Sequence, residues 1–330
     1  MTPEALLLDA DRILLITHIT PDGDAIGGLL ALGRVLRGMG KAAIVSCSEA
    51  VPGRFAYLPG YTDIVHQADG PFDLVVSVDC SDLRRVGCIY RADEWRDTPF
   101  LNIDHHVTNT HFGTHNWVGP EYVAASEMVL DLCDRLGAAL DADIAKCLLY
   151  GILGDTQGLR TDNVTPALLG KVMRLMQLGA PLADIMDQIF NRRPWKLLHA
   201  WEKTLETIQL EEGVIWAYLT RPARVEAEWP DTDLQGMSNF LLAVEEANLS
   251  AVLVERDDGR VEVGMRARAP FNVAKVALAL GGGGHPLAAG CVLDGPLDQA
   301  VERVVTLLKE QTSNQHVSHT VNLPIYLQIC

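Results

Sequence analysis

Four short clusters in this chain carry side chains that bind hard cations. His18, Asp22 and Asp24 lie in THITPDGDAIGG, Asp79 in SVDCSD, Asp104, His105 and His106 in NIDHHVTN, and Asp155 in GILGDTQG. Carboxylates with a few imidazoles and no thiolate suit manganese or magnesium better than a structural zinc. Two divalent ions about 3.5–4 Å apart need a bridging carboxylate and several terminal ligands. The six residues His18, Asp22, Asp24, Asp79, His105 and Asp155 suffice for a pair and exceed the needs of one ion. Pro21 and Gly23 fit a tight turn that points Asp22 and Asp24 to different ions. Each cluster alone has a plainer explanation. An Asp-x-Asp before a helix is often an N-cap, a His-His pair is usually core or surface, and an aspartate can simply end a strand. Four such clusters at the ends of elements are hard to explain by packing alone.

The surrounding pattern supplies those ends. RILLITHI (12–19) is a short apolar, β-branched run of the kind buried in a parallel sheet. DAIGGLLALGRVLRGMG follows with helical spacing and closes on glycine. KAAIVSCS, DLVVSVDCSD (73–82) and FLNIDHHVTN (100–109) are further strands, with helices expected at about 122–137 and 141–153. Alternation of strand and helix predicts an α/β, doubly wound, mainly parallel sheet. Three of its strands end in ligand residues, and open α/β sheets bind ligands outside the carboxyl ends of their strands. Asp155 is expected on a loop after a helix, within reach of the same edge.

Residues 166–210 are helical in pattern, broken at Gly179–Pro181 and at Pro194, and read as the link to a smaller mixed α/β domain. There VIWAYLT, LSAVLVERDDGRVEVGMRAR and CVLD are strand candidates, the Asp-Asp-Gly at 257–259 making a hairpin turn. FNVAKVALALGGGG is a helix running into glycines. Arg266 and Arg268 alternate along a strand and are expected on one face. The glycine run, leading into His285 and Ala-Ala-Gly, suits close backbone approach to an anion, although glycine runs are also common linkers. The expected division is 1–190 for the metal-binding domain, 191–210 for a helical linker, 211–311 for a substrate domain and 312–330 for a tail without an assigned role.

Composition narrows the function classes. With 48% hydrophobic and 21% charged residues this is a globular chain with ample core. No apolar run is long enough to span a bilayer, the start is acidic rather than basic, and seven cysteines lack Cys-x-x-Cys spacing. Reduced thiols in the cytoplasm, with no membrane partner, are the expectation. A net charge of −16 disfavours tracking along long duplex nucleic acid. A short anionic substrate remains compatible, because bound cations reverse the local field.

The motifs His18-x-x-Pro21-Asp22-x-Asp24-Ala25-x-Gly27, Asp79, Asp104-His105-His106 and Gly154-Asp155-Thr156 resemble, in order, those of the DHH phosphoesterase superfamily. GGGGHPLAAG (281–290) is similar to the signature of the DHH-associated C-terminal domain. Together the resemblance covers residues 5–310. It implies two divalent ions, manganese by expectation with magnesium or cobalt as substitutes. His18, Asp22 and Asp79 would hold one ion, and Asp24, Asp79, His105 and Asp155 the other, with Asp79 bridging. Asp104 would orient an imidazole ligand and His106 would face the substrate phosphate, so that His106, Asp79 and Asp104 form the catalytic set. Arg266, Arg268, Gly283, Gly284 and His285 would grip the nucleotide, with the active site in a cleft between the domains.

The implied reaction is hydrolysis of very short oligoribonucleotides to mononucleotides, and removal of the 3′-phosphate of 3′-phosphoadenosine 5′-phosphate. Cleavage of cyclic di-AMP or pApA uses the same motifs and is the first alternative; a non-catalytic nucleotide-binding relative is a second. A pyrophosphatase of the related type lacks the glycine-rich histidine signature. A homodimer is compatible with the resemblance. The chain departs from the family pattern at Gln157-Gly158-Leu159-Arg160 and at Ala267, positions that bear on substrate preference rather than on the ligands.

Overall fold

The computed structural model describes residues 1–230 and 232–319. Two compact units divide the chain after Arg192. In the first, five parallel strands are β1 (Arg12–Ile16), β2 (Ala42–Ser46), β3 (Leu74–Val78), β4 (Phe100–Asp104) and β5 (His115–Val118). Its helices are α1 (Pro3–Asp9), α2 (Gly23–Gly38), α3 (Ala92–Trp95), α4 (Ala125–Arg135), α5 (Ala142–Asp155), α6 (Pro166–Gln177) and α7 (Leu182–Met186). The strand order is β2-β1-β3-β4-β5. The order reverses between β1 and β3, and the crevice at such a reversal is where doubly wound sheets bind ligands.

Alternation along β1 sets the two layers. Ile13 and Leu15 join a core with Ile26, Leu29, Val129 and Leu148 of α2, α4 and α5. Leu14 and Ile16 point the other way, into a cluster with Val75, Trp95 and Phe100. The α2–α5 contact depends on glycine: a Cβ on Gly27 would lie 2.5 Å from the Cys147 carbonyl oxygen, and one on Gly151 would collide with Ser126 Oγ. At the far end of this pair Arg34 of α2 bridges Asp141 and Asp143 at the start of α5, at 3.0 and 2.8 Å. The two helices are therefore antiparallel, and the start of α2 meets the end of α5.

The second unit holds helices α8 (Trp195–Leu205), α9 (Arg221–Glu226), α10 (Met237–Leu242), α11 (Val273–Ala279) and α12 (Leu297–His319). Its strands are β6 (Gln209–Glu211), β7 (Val214–Leu219), β8 (Leu249–Glu255), β9 (Val261–Ala267), β10 (Gly283–His285) and β11 (Ala288–Leu293), in the order β10-β11-β9-β8-β7-β6. Among the described residues only β7 and β8 of this sheet pair in parallel. The sheet is thus mixed, as expected.

Several local expectations change. Asp155 is the last residue of α5 rather than part of a loop, because the helix runs through Gly154 and stops on Thr156. Gly283 and Gly284 are not loop residues either: with His285 they form β10, paired with β11. Arg268 lies one residue beyond β9. The edge strands β5 and β6, short and polar, carry none of the apolar alternation that reveals a strand. Of the expected 312–330 tail, the part up to His319 belongs to α12; the remainder lies outside the described residues.

Candidate metal centre

Two strand ends at the reversal of sheet order build the centre. Thr17, just after β1, donates its hydroxyl to the Val78 carbonyl at 2.8 Å and so ties the end of β1 to that of β3. His18 and Asp79 are the next residues on the two chains, and both are buried. Asp79 adopts φ +60°, a left-handed conformation that aspartate and asparagine tolerate better than most side chains. Its N–H still donates to Ile103 in the next strand at 2.9 Å, so the kink is anchored.

The ligand atoms fall into overlapping groups. His18, Asp22 and Asp79 offer atoms within 4.8 Å of one another, and so do Asp24, Asp79 and His105. His18 Nε2 is 3.6 Å from Asp79 Oδ2, whereas His105 Nε2 is 3.5 Å from the other oxygen, Oδ1. His105 Nε2 also lies 3.2 Å from Asp155 Oδ2 and 3.8 Å from Asp24 Oδ2. Asp79 therefore faces two ligand groups, one through each carboxylate oxygen. The six residues expected to converge do so within the first unit.

The capping explanation for Asp-x-Asp also holds, and coexists with ligation. Asp22 Oδ1 caps α2, accepting from the N–H groups of Asp24 and Ala25 at 3.0 Å each. Asp24 instead caps α4, which has no side-chain cap of its own. Its Oδ2 accepts from Ala125 N–H at 2.5 Å and its Oδ1 from Ser126 N–H at 2.8 Å. A carboxylate has about four lone-pair sites, so each aspartate keeps capacity for a cation.

Charges in the centre pull in opposite directions. Burial drives the Asp24 carboxyl well above its usual range, and the nearby Asp155 and Asp79 add to this. Asp155 is likewise raised by burial, to about 6, although His105 opposes the shift. Burial works against ionised Asp79 too, but the adjacent imidazoles of His105 and His18 hold it well below the ordinary value. For His105 burial favours the neutral ring; the carboxylates of Asp155 and Asp79 overcome it and raise its pKa well above that of a free imidazole. Without a cation, protons on this cluster balance part of the carboxylate charge.

Asp104 plays a different part from the one expected. Its Oδ1 is 2.8 Å from Nδ1 of His106, whereas the ligand candidate His105 turns its Nδ1 toward the Tyr122 carbonyl at 3.4 Å. Asp104 thus orients His106. Burial would lower the His106 pKa, and the Asp104 carboxylate raises it instead. Asp104 is itself held by Asn109 Nδ2, which donates to Oδ2 at 2.5 Å and to Asn102 Oδ1 at 2.8 Å. Asn102 is fully buried and donates to Ser77 Oγ at 2.8 Å. Sequence reasoning overlooked both asparagines; a polar residue inside the apolar strand 100–104 was the available signal. It also missed Arg85, whose Nη2 lies 3.0 Å from His18 Nδ1.

In the second unit the predicted phosphate contacts form a row across the sheet. Arg266 of β9 and His285 of β10 are both register partners of Ala288, on the strand between them. Residues opposite one another in register share a face, so the small Ala288 side chain separates Arg266 from His285. A Cβ at Gly284, which has φ +138°, would lie 2.6 Å from the Ala288 carbonyl oxygen. Glycine is required there for close strand approach. Arg268 does not join the row. Its guanidinium donates to the carbonyls of Leu242, Val244 and Glu245 at 2.9, 3.3 and 3.3 Å, at the end of α10.

The donor set fits hard divalent cations. Among the described residues, buried Asp79 Oδ1 has no close hydrogen bond, only imidazole nitrogens of His105 and His106 at 3.5 Å, an arrangement costly unless a cation or proton satisfies it. The adjacent Cys80 is no competitor, since burial pushes its thiol up to about 12 and keeps it protonated. Among the described residues, no helix is long and apolar enough to cross a membrane.

The chain is similar to known proteins along most of its length. Residues 12–152 match the model of the DHH family, N-terminal domain, and residues 212–314 match the DHHA1 domain. The bifunctional oligoribonuclease and PAP phosphatase NrnA of Thermus thermophilus is 36% identical, covering 94% of this chain and 93% of its own length. The cyclic-di-AMP phosphodiesterase GdpP of Bacillus subtilis is 21% identical, covering 92% of this chain but 48% of its own. An exopolyphosphatase-related protein from Bacteroides fragilis has the same fold, with a TM-score of 0.83 and 23% identity over 94% of this chain and 95% of its own.

Proposed function

The chain belongs to the DHH family, whose members hydrolyse phosphoester bonds, and we propose that it is a manganese-dependent enzyme of short nucleotides. It would cleave very short oligoribonucleotides to mononucleotides and remove the 3′-phosphate of 3′-phosphoadenosine 5′-phosphate. One observation carries the two-cation part: the two oxygens of Asp79 face separate ligand groups. The substrate choice draws support from the Thermus thermophilus relative, similar along nearly its whole length.

In this reading His18, Asp22 and Asp79 would hold one cation, and Asp24, Asp79, His105 and Asp155 the second. When bound, the cations lower the pKa of water and neutralise charge on the phosphoryl group. The chain's own residues do the rest. The α4 backbone and the α2 cap fix the Asp24 and Asp22 carboxylates, so that little reorganisation accompanies the reaction. His106, whose affinity for a proton Asp104 raises, binds the substrate phosphate and holds a proton for the leaving oxygen. Arg266 and His285 supply cationic and donor groups to a terminal phosphate of the nucleotide. Limits on substrate length follow from how few such contacts there are, in a chain whose net charge is −16.

The rival reading is a cyclic di-AMP or pApA phosphodiesterase, for which the similarity to the Bacillus subtilis relative speaks. Incubation with pApA, 3′-phosphoadenosine 5′-phosphate, cyclic di-AMP and a longer oligoribonucleotide, each with manganese, separates the two. The expected result is turnover of the first two and little of the others. Preference for the cyclic dinucleotide, or turnover of pApA without release of the 3′-phosphate of 3′-phosphoadenosine 5′-phosphate, would replace the proposal.

A further inference from the structure

Arg85 is a cation beside the metal centre that the mechanism above leaves without a task. It sits half-buried in the 3-10 segment Leu83–Ile89 that follows β3. That segment is strapped to the His18 loop, for Ile19 N–H donates to the Arg85 carbonyl at 2.6 Å. Gly87, at φ +73°, permits the approach: a Cβ there would lie 2.8 Å from Ile19 Cγ2. Neighbouring Arg84 takes both oxygens of Asp82, at 3.0 and 3.2 Å. Among the described residues, the Arg85 guanidinium forms no salt bridge, and its one hydrogen-bond partner is His18 Nδ1 at 3.0 Å.

That contact conflicts with the role of His18 as a ligand. Nδ1 of His18 is also 2.7 Å from the Ile19 carbonyl oxygen. To bind a cation through Nε2 the ring needs its lone pair there, which puts the proton on Nδ1, donated to Ile19. A guanidinium has donors only and cannot share a nitrogen that already carries a proton. Ligation by His18 therefore displaces Arg85 from its place directly behind the ligand ring.

We propose that Arg85 is a substrate-phosphate-binding residue of the catalytic unit, released from His18 Nδ1 when Nε2 takes a cation. The inference rests on the two-cation reading above. It makes anion binding at Arg85 depend on cation binding at His18, so that phosphate is gripped only in a loaded enzyme.

The test uses the full chain and the variants Arg85→Met and Arg85→Lys, with thermal melting to show that they fold. Manganese binding and AMP binding are measured by calorimetry, the latter with and without manganese; KM and kcat are measured with pApA. The expected outcome for Arg85→Met is manganese affinity equal to or tighter than wild type. Its AMP affinity in manganese weakens by about tenfold or more, the scale of a hydrogen bond to a charged group, with KM rising more than kcat falls. Arg85→Lys recovers part of the AMP affinity. Unchanged AMP affinity, or a loss of manganese affinity matching that of AMP, would overturn the proposal and make Arg85 a structural support. Failure of the wild type to bind manganese would instead sink the reading beneath it.

Discussion

The two units position their functional side chains by different physical means. In the first, most of the candidate ligand residues are buried, Asp22 being exposed, and the backbone holds them: Asp24 at the α4 N-terminus, Asp22 at the start of α2, Asp79 in a left-handed conformation hydrogen-bonded to β4. In the second, sheet register aligns Arg266 with His285, and both are half-buried side chains. A centre built from buried carboxylates must be rigid, because each unsatisfied charge is costly. A phosphate contact on a sheet face can adapt. The contrast predicts that changes to the candidate ligands or to the support of His106 reduce cation binding or kcat, whereas changes to Arg266 and His285 raise KM.

The largest effect belongs to Asp79. Asn keeps the left-handed backbone but removes the charge, and Asp79→Asn is expected to leave no measurable manganese-dependent hydrolysis of pApA. Next comes Asp104→Asn, which frees His106 without touching a proposed ligand. A fall in kcat of about 10²-fold with manganese affinity retained is expected. A loss of manganese instead would show that Asp104 supports the ligands. Arg266→Met should raise KM by about tenfold or more and leave kcat nearly intact; a kcat effect of the same size would erase the distinction between the units.

Acidity probes the first unit in another way. His105 has a raised pKa in the cation-free protein, Asp24 lies well above its usual range and Asp155 reaches about 6. Each proton must leave before that group can ligate, so manganese affinity is expected to rise with pH through the neutral range and to collapse below about 6. Calorimetry in buffers of different ionisation enthalpy should show protons released on binding. An affinity independent of pH would contradict the charge balance described here. The smallest effect is architectural. Gly27→Ala, 2.5 Å from the Cys147 carbonyl, should cost about 1–3 kcal/mol of stability by overpacking the α2–α5 contact, detectable as a lower melting temperature with the metal ligands unchanged.

Most of the fold and the convergence of the candidate ligands could be read directly from the chain, since His18, Asp79 and Asp104–His106 end or follow apolar runs of the kind a parallel sheet buries. Helical periodicity does not reveal where a helix stops, and so Asp155 was expected on a loop although α5 reaches it. Support from distant residues left no mark on sequence spacing. His18 and Arg85 are 67 positions apart, and the two N–H groups that hold Asp24 come from residues about a hundred positions away. Arg268 shows the limit of alternation: strand period places it beside Arg266, but β9 ends before it and the α10 carbonyls take its donors.

The central claim is that Asp79 joins two cation sites, and counting bound manganese tests it most directly. Equilibrium dialysis of the full chain should give two manganese ions per wild-type chain and a loss of tight binding at both sites in Asp79→Asn. One ion per wild-type chain, or two ions held by Asp79→Asn at wild-type affinity, would contradict the account.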